Sequence, residues 1–326
     1  MNGLLLFHLN LDFSSIESRH HSKVIKTCYY PLLDLAKNNI KLSIECSGKT
    51  LERINSIDQH FIKTLKKYIV EKKIEIIGSG YVQAIGPLFP HDLNILNLQE
   101  GQKIYLDILG IKPSIALIGE MALSQSLLDT YLEAGFSAII MDIDNISEST
   151  KISKNNLYKY GDIRLSHSRK TIKIIWSDSI MFQKFQRYIH GDLSLNDYLQ
   201  FIKRSIKKNI NYYMPIYTND AEIFNFRPGR FEQEAKIESD EWKKIFHLIQ
   251  TLESNLKFNF KTPSHLKDIK KFKFHSKLTT LKTLNKISSI EYPVPVKKQK
   301  KYNINRWAVS GRGDQFLNTS SYRILF

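Results

Sequence analysis

The chain has 326 residues, 42% of them apolar, which is enough for one sizeable core, or for one domain with an appendage. Its 48 Lys and Arg against 32 Asp and Glu give a formal net charge of +16. Residues 261–305 alone hold twelve Lys against two acids, Asp268 and Glu291, so ten of the sixteen excess charges sit in one segment and a nucleic-acid partner is not expected.

The first apolar run, LLLF at residues 4–7, is far too short to span a bilayer and lacks both a basic leader and a small-residue cleavage site. Cys28 and Cys46 lack metal-ligand spacing. These features predict reduced thiols in a cytoplasmic protein without a membrane span.

Strand-like and helical patterns alternate along the first two-thirds of the chain. GLLLFHLNLD at residues 3–12 reads as a strand. The segment from His20 reads as helical, offset or broken at Pro31. IKLSIECSG is a second strand. KTLERINSIDQHFIKTLKKYIVEKK, with Leu51, Ile54, Ile57, Phe61, Leu65, Tyr68 and Ile69 at helical spacing, predicts one helix. IEIIGSG is a third strand, and the helix after its Gly/Pro-rich loop is predicted to close at Gly110. SIALIGE, SAIIMDID, KTIKIIWSD and NYYMPIYTND supply four more strands with helical segments between them.

Seven strands alternating with helices imply a parallel sheet covered by helices, either a barrel or an open doubly wound sheet. After about residue 260 the alternation fades. The expected division is a catalytic unit over 1–260 and a basic connection with a strand-like extension over 261–326. Within the latter, SHLKDIKKF reads as a short helix capped by Ser264.

Sites on barrels gather at the carboxyl ends of the strands. Here those ends carry His8, Asn10, Asp12, Glu45, Ser79, Tyr81, Glu120, Asp142, Asp144, Trp176, Asp178 and Asp220. Carboxylates and aromatics dominate, and no glycine-rich phosphate loop is present. A carboxylate pair across a cleft is what glycosidic cleavage needs: one ionised to attack, one protonated to serve the leaving oxygen. Glu120 and Asp220 each also fit a helix-terminal or turn role. His8, Asn10 and Asp12 alternate, so they share a face that could bind substrate, hold a metal or be structural. Trp176 could stack on a sugar or pack in the core. Glu222, Arg227 and Arg230 could form a structural ion-pair network, or the two arginines could clamp a substrate.

FHLNLDFSSI, GKTLE, IEIIGSGYVQAIGPLFP, LIGEMALSQSLLDTYLEAGFSAIIMD, IWSDSIMFQKFQRYIHG and YTNDAEIFNFRPGRF, in this order and spacing, together resemble the N-terminal catalytic domain of glycoside hydrolase family 57 and its uncharacterised relatives. The closing RWAVSGRGDQFLNTSSYRI is similar to the tail of those relatives. The resemblance implies an incomplete (β/α)7 barrel of the glycoside hydrolase/deacetylase type with a short C-terminal extension. It also implies a retaining mechanism on α-glucans, with no cofactor and no metal. Glu120 matches the nucleophile and Asp220 the general acid/base, in a tyrosine-then-aspartate context near Tyr217. His8 matches a histidine lining the subsite of the attacked sugar.

Asn10, Asp12, Glu45, Tyr81, Gln83, Trp176, Asp178, Tyr217 and Arg227 complete the expected cleft. Three features depart from the family pattern. HLNLD stands in place of two histidines followed by Gln-Pro. Gly119 and Met121 flank Glu120, where a Trp or Cys is usual. The helical region after the barrel is short.

The leading expectation is therefore a retaining glycosidase or transglycosylase. The alternatives are a metal-dependent carbohydrate deacetylase using His8 and Asp12, or a non-catalytic glycan-binding protein.

Overall fold

In the computed structural model the described residues are 1–14, 16–123, 125–144, 153–154, 157, 162–164, 171–208, 213–227 and 240–267. Arg230 and the segment from 268 onward, including the strand-like extension, lie outside them. The strands are β1 (Asn2–Leu9), β2 (Leu42–Cys46), β3 (Ile74–Ile77), β4 (Ile115–Leu117), β5 (Ala138–Asp142), β6 (Asp162–Arg164), β7 (Thr171–Ser177), β8 (Tyr213–Asp220) and β9 (Asn259–Phe260). β3-β2-β1-β8 form one parallel sheet with β9 paired to β1, and β4-β5-β7 form a second, with β6 antiparallel to β7.

The two sheets join through Gly78. Its N–H donates to the Ile115 carbonyl (2.8 Å), and its own carbonyl accepts from the Leu117 N–H (3.0 Å). The spatial order is therefore β8-β1-β2-β3-β4-β5-β7, which are the seven strands read from the sequence. At the open seam between β7 and β8 a side chain replaces the ladder. The Tyr213 hydroxyl accepts from the Trp176 N–H (2.6 Å) and donates to the Trp176 carbonyl (3.1 Å). This is an incomplete (β/α)7 barrel.

Strand periodicity sorts the side chains. Leu4, Leu6, Ile77, Ile115, Ala138, Ile140, Ile175 and Tyr213 fill the barrel interior, and Leu266, on the short helix Pro263–Lys267, is fully buried among them. Leu5, Phe7 and Leu9 point the other way, into the large core shared with the helices. The parity that sends Leu4 and Leu6 inward sends His8 to the same side at the mouth.

The helices follow local rules with two departures from the sequence reading. The long helix after β2 is two, α3 (Gly48–Ile57) and α4 (Gln59–Val70). Asp58 leaves helical geometry (φ −144°, ψ 85°), and its carboxylate accepts the Phe61 N–H at 2.9 Å. An aspartate that can cap a new helix competes with continuation of the old one. The expected offset at Pro31 is present: a π-helical turn, Ile25–Tyr29, separates α1 (His21–Val24) from α2 (Tyr30–Lys37), which opens with Pro31 in its first turn.

Ser264, expected as a cap, lies inside Pro263–Lys267, where its N–H (2.9 Å) and hydroxyl both donate to Glu75 of β3. The capping acceptor is thus a carboxylate 189 residues away in sequence. By contrast, α5 (His91–Leu109) closes at Gly110 as expected, with the left-handed φ of +75° that glycine adopts freely.

Candidate active site

The mouth is built around His8. In register it stands between Glu45 of β2 and Asp220 of β8. Its Nδ1 is hydrogen-bonded to the Glu45 carboxylate, and Glu45 is 1% exposed. The Gln83 amide lies 2.6 Å from its Nε2. Burial pulls the His8 pKa down, but Glu45, Asp220 and Glu222 outweigh it and push it up to about 10. His8 is therefore an imidazolium at neutral pH. The Gln83 atom placed there is its amide nitrogen; an imidazolium donates from both ring nitrogens, so pairing with it requires the Gln83 amide turned over to present its oxygen.

Asp220 reaches this row only because of a bulge. Leu4 pairs with Pro215, but Leu5 pairs with Tyr217, so one residue of β8 is skipped. Tyr213 and Asp220 both face inward although they are an odd number of residues apart, which a regular strand forbids. Pro215 has no N–H for the ladder and suits an interruption there. The Tyr217 ring is fully buried against Phe7, Phe185 and Phe224, and its hydroxyl donates to the Asp220 carbonyl at 2.6 Å. Tyr217 therefore fixes Asp220 from behind and does not line the cleft.

Glu222 is a member of the site that sequence reasoning treated only as an ion-pair candidate. It is 1% exposed. It accepts the Asn10 backbone N–H (2.6 Å) and the Tyr29 hydroxyl. Burial, then the neighbouring Asp220 charge, raise its pKa to about 7 against the opposing pull of Tyr29, His8 and the Asn10 N–H. The Asp-x-Glu spacing at 220 and 222 was the available signal.

Glu120 follows β4 on a short turn, Gly119–Met121. Regular parity would aim it at the helices, with Ala116 and Ile118. Its left-handed backbone (φ 51°, ψ 17°), followed by Met121 at φ 54°, takes it out of that register and leaves it exposed. L-residues pay roughly 1–2 kcal/mol for that conformation. Gly119 lets the turn form, since a Cβ there would stand 2.4 Å from the Ala84 carbonyl. The same 81–86 loop carries Gln83 to His8. It is held by α5: Asn97 receives the Val82 N–H (2.8 Å) and donates to its carbonyl (3.1 Å), and Asn94 donates to the Gly86 carbonyl (2.9 Å).

The remaining expected residues divide into two groups. Asp12 and Tyr81 stay near the rim, each half-buried, Asp12 with Arg53 (3.3 Å) and Tyr81 donating to Glu52 (2.9 Å). Trp176 and Arg227 are not on the cleft. The Trp176 ring faces the helices in the second core cluster, is 2% exposed, and donates its indole N–H to the Leu157 carbonyl (3.0 Å). Its parity opposes that of inward Ile175, so it cannot stack on a sugar from there.

Arg227 is fully buried and doubly paired with Glu241, through Nη1–Oε2 (3.0 Å) and Nη2–Oε1. Asp178 is a helix cap. It accepts the Ile180 and Met181 N–H groups of Ser179–Ile189, and Lys154 bridges it (2.8 Å) to Asp144 (2.6 Å). Among the described residues no three His, Cys, Asp or Glu side chains come together to hold a metal ion. No described helix is long and apolar enough to cross a membrane.

The model of glycosyl hydrolase family 57 matches residues 6–289. The chain belongs to this family. No curated protein matches it. Solved structures with the same fold include a 4-alpha-glucanotransferase from Thermococcus litoralis (17% identity, TM-score 0.66, 83% of this chain and 40% of that one). A branching enzyme of the family from Thermococcus kodakaraensis (12%, TM-score 0.65, 99% and 78%) and an alpha-amylase from Thermotoga maritima (12%, TM-score 0.60, 83% and 75%) share it as well. The family 57 chain described here thus spans less than half the length of the glucanotransferase.

Proposed function

We propose that this family 57 protein is a retaining glycoside hydrolase or transglycosylase acting on an α-glucan-like oligo- or polysaccharide. The observation that carries the reading is the row Glu45–His8–Asp220: a carboxyl group turned inward by a bulge and set beside a fixed cation at the barrel mouth. The names of the structural neighbours, glucanotransferase, branching enzyme and amylase, point to the substrate class.

Glu120 attacks the anomeric carbon while Asp220, a carboxylate in the free protein that must take up a proton in the substrate complex, gives that proton to the departing oxygen. Asp220, now a carboxylate, takes a proton from water or a sugar hydroxyl, and that oxygen displaces Glu120 from the glycosyl ester. Gln83, with Asp12 and Tyr81 at the rim, binds the sugar hydroxyls, and His8, held in its charged form by Glu45, fixes Gln83 in place. Retention requires the two carboxyl groups to come within roughly 5–5.5 Å in the substrate complex.

The test is a panel of glucans and other neutral glycans with wild type and Glu120→Gln. Wild type should turn over an α-glucan with retention, and mass spectrometry should detect a glycosyl adduct on Glu120. Removing the nucleophile should lower kcat on the order of 10⁴-fold. Turnover that survives Glu120→Gln, or no turnover of any glycan, would defeat the proposal.

A further inference from the structure

Glu222 and Asn10 present an unresolved donor–acceptor count. Glu222 Oε1 receives two donors, the Asn10 N–H and the Tyr29 hydroxyl. Glu222 Oε2 is buried with no partner, and so is Asn10 Oδ1, the side-chain oxygen of the residue it already grips. An acceptor left without a donor inside a protein is destabilising. If Glu222 were ionised, the unpaired atom would carry charge as well, two residues from the Asp220 carboxylate.

We propose that Glu222 is a neutral carboxylic acid whose Oε2–H donates to Asn10 Oδ1, and that this paired acid is a positioning residue for Asp220. Protonation resolves every mismatch at once. Oε1 becomes the carbonyl oxygen, suited to two donors, and Oε2 becomes the missing donor. Asn10 is then held by both its backbone and its side chain. The pair lies where β1 leaves the barrel beside β8, directly past the last ladder bond, in which the Ala221 N–H donates to the His8 carbonyl (2.9 Å). Asp220 is thereby clamped on both sides: Tyr217 holds its carbonyl, and the residues after it are tied to β1.

The charged and titratable groups around Glu222 are His8 on β1, Asp220 and Tyr217 on β8, Cys28 and Tyr29 on the helical turn, and Cys46 on β2. The raised pKa of Glu222 agrees with the geometry. On ionisation the proton passes to solvent, the Asn10 side chain loses its donor, and the clamp loosens. The effect on turnover rests on the glycosidase reading; the protonation state does not.

The experiment is a carbon NMR titration of protein labelled at glutamate carboxyls. One carboxyl should titrate near 7, be absent in Glu222→Gln, and move down in Asn10→Ala, which removes its acceptor. If every glutamate in the wild type titrates at ordinary values near 4.3, the inference is wrong. A pH profile of kcat gives the second readout. Gln supplies the same carbonyl and an N–H donor at all pH values, so Glu222→Gln should carry the alkaline limb upward relative to wild type. A folded Gln variant with kcat lowered 100-fold or more at every pH would show that the carboxyl itself reacts, and would overturn the positioning role. A wild type that turns over no glycan, yet shows the titration, would sink the glycosidase reading and leave the neutral acid standing.

Discussion

The two halves of the barrel mouth bring similar residue types to similar places and use them differently. On the β2–β1–β8 side the polar groups stand in ladder register and face inward: Glu45, His8 and Asp220 form one row, with Glu222 behind it. On the β4–β5–β7 side the strands end in turns and caps. Asp178 spends its oxygens on helix N–H groups and Lys154, and Glu120 sits on a left-handed turn, exposed. A row of buried, paired charges on one side thus contrasts with an exposed acid on a left-handed turn on the other, and under the proposed mechanism the first would fix charge while the second would supply the nucleophile.

Four experiments would break or sharpen that contrast. Arg227→Met leaves Glu241 buried without its partner beneath the β8 exit, and should cost about 3–5 kcal/mol in urea unfolding. The double variant Arg227→Met/Glu241→Leu should recover most of it. A loss below 1 kcal/mol would mean that the pair does not anchor this side.

The His8 proton comes next. Its folded pKa of about 10 lies above the unfolded value near 6.5. Its stabilisation is therefore complete below pH 6.5 and lost as pH rises toward 10. Unfolding free energy should fall in that window with a limiting slope of about 1.4 kcal/mol per pH unit, and His8→Gln should flatten it. The raised Glu222 pKa works in the same direction from about pH 4.5 to 7, so the difference between wild type and variant is the quantity to read.

Tyr213→Phe removes the hydroxyl that closes the seam and leaves the Trp176 N–H and carbonyl unpaired. A loss of about 1–3 kcal/mol is expected, with faster amide exchange along β7 and β8. The smallest effect is the most diagnostic. Glu120→Gly should abolish turnover yet raise stability by roughly 1–2 kcal/mol, because glycine relieves the left-handed turn. A destabilised variant would show that Glu120 is held by contacts rather than strained into place.

The sequence was sufficient for the seven strands, their parallel arrangement, the Gly110 stop and the inward aim of His8, because period-2 and period-3.6 patterns are local properties of the chain. The break at Asp58 was also written there, in a capping residue overridden by the longer apolar pattern. Three decisions belonged to the tertiary structure alone. The bulge in β8 turns Asp220 inward, and a skipped residue leaves no trace in alternation. Trp176 and Arg227 are claimed by a core and by Glu241, partners that only the fold brings near. Glu222 acquires its proton from burial and from Asp220 and Asn10 around it, and proton affinity is a property of surroundings, which a residue two places from another acid does not carry in its name.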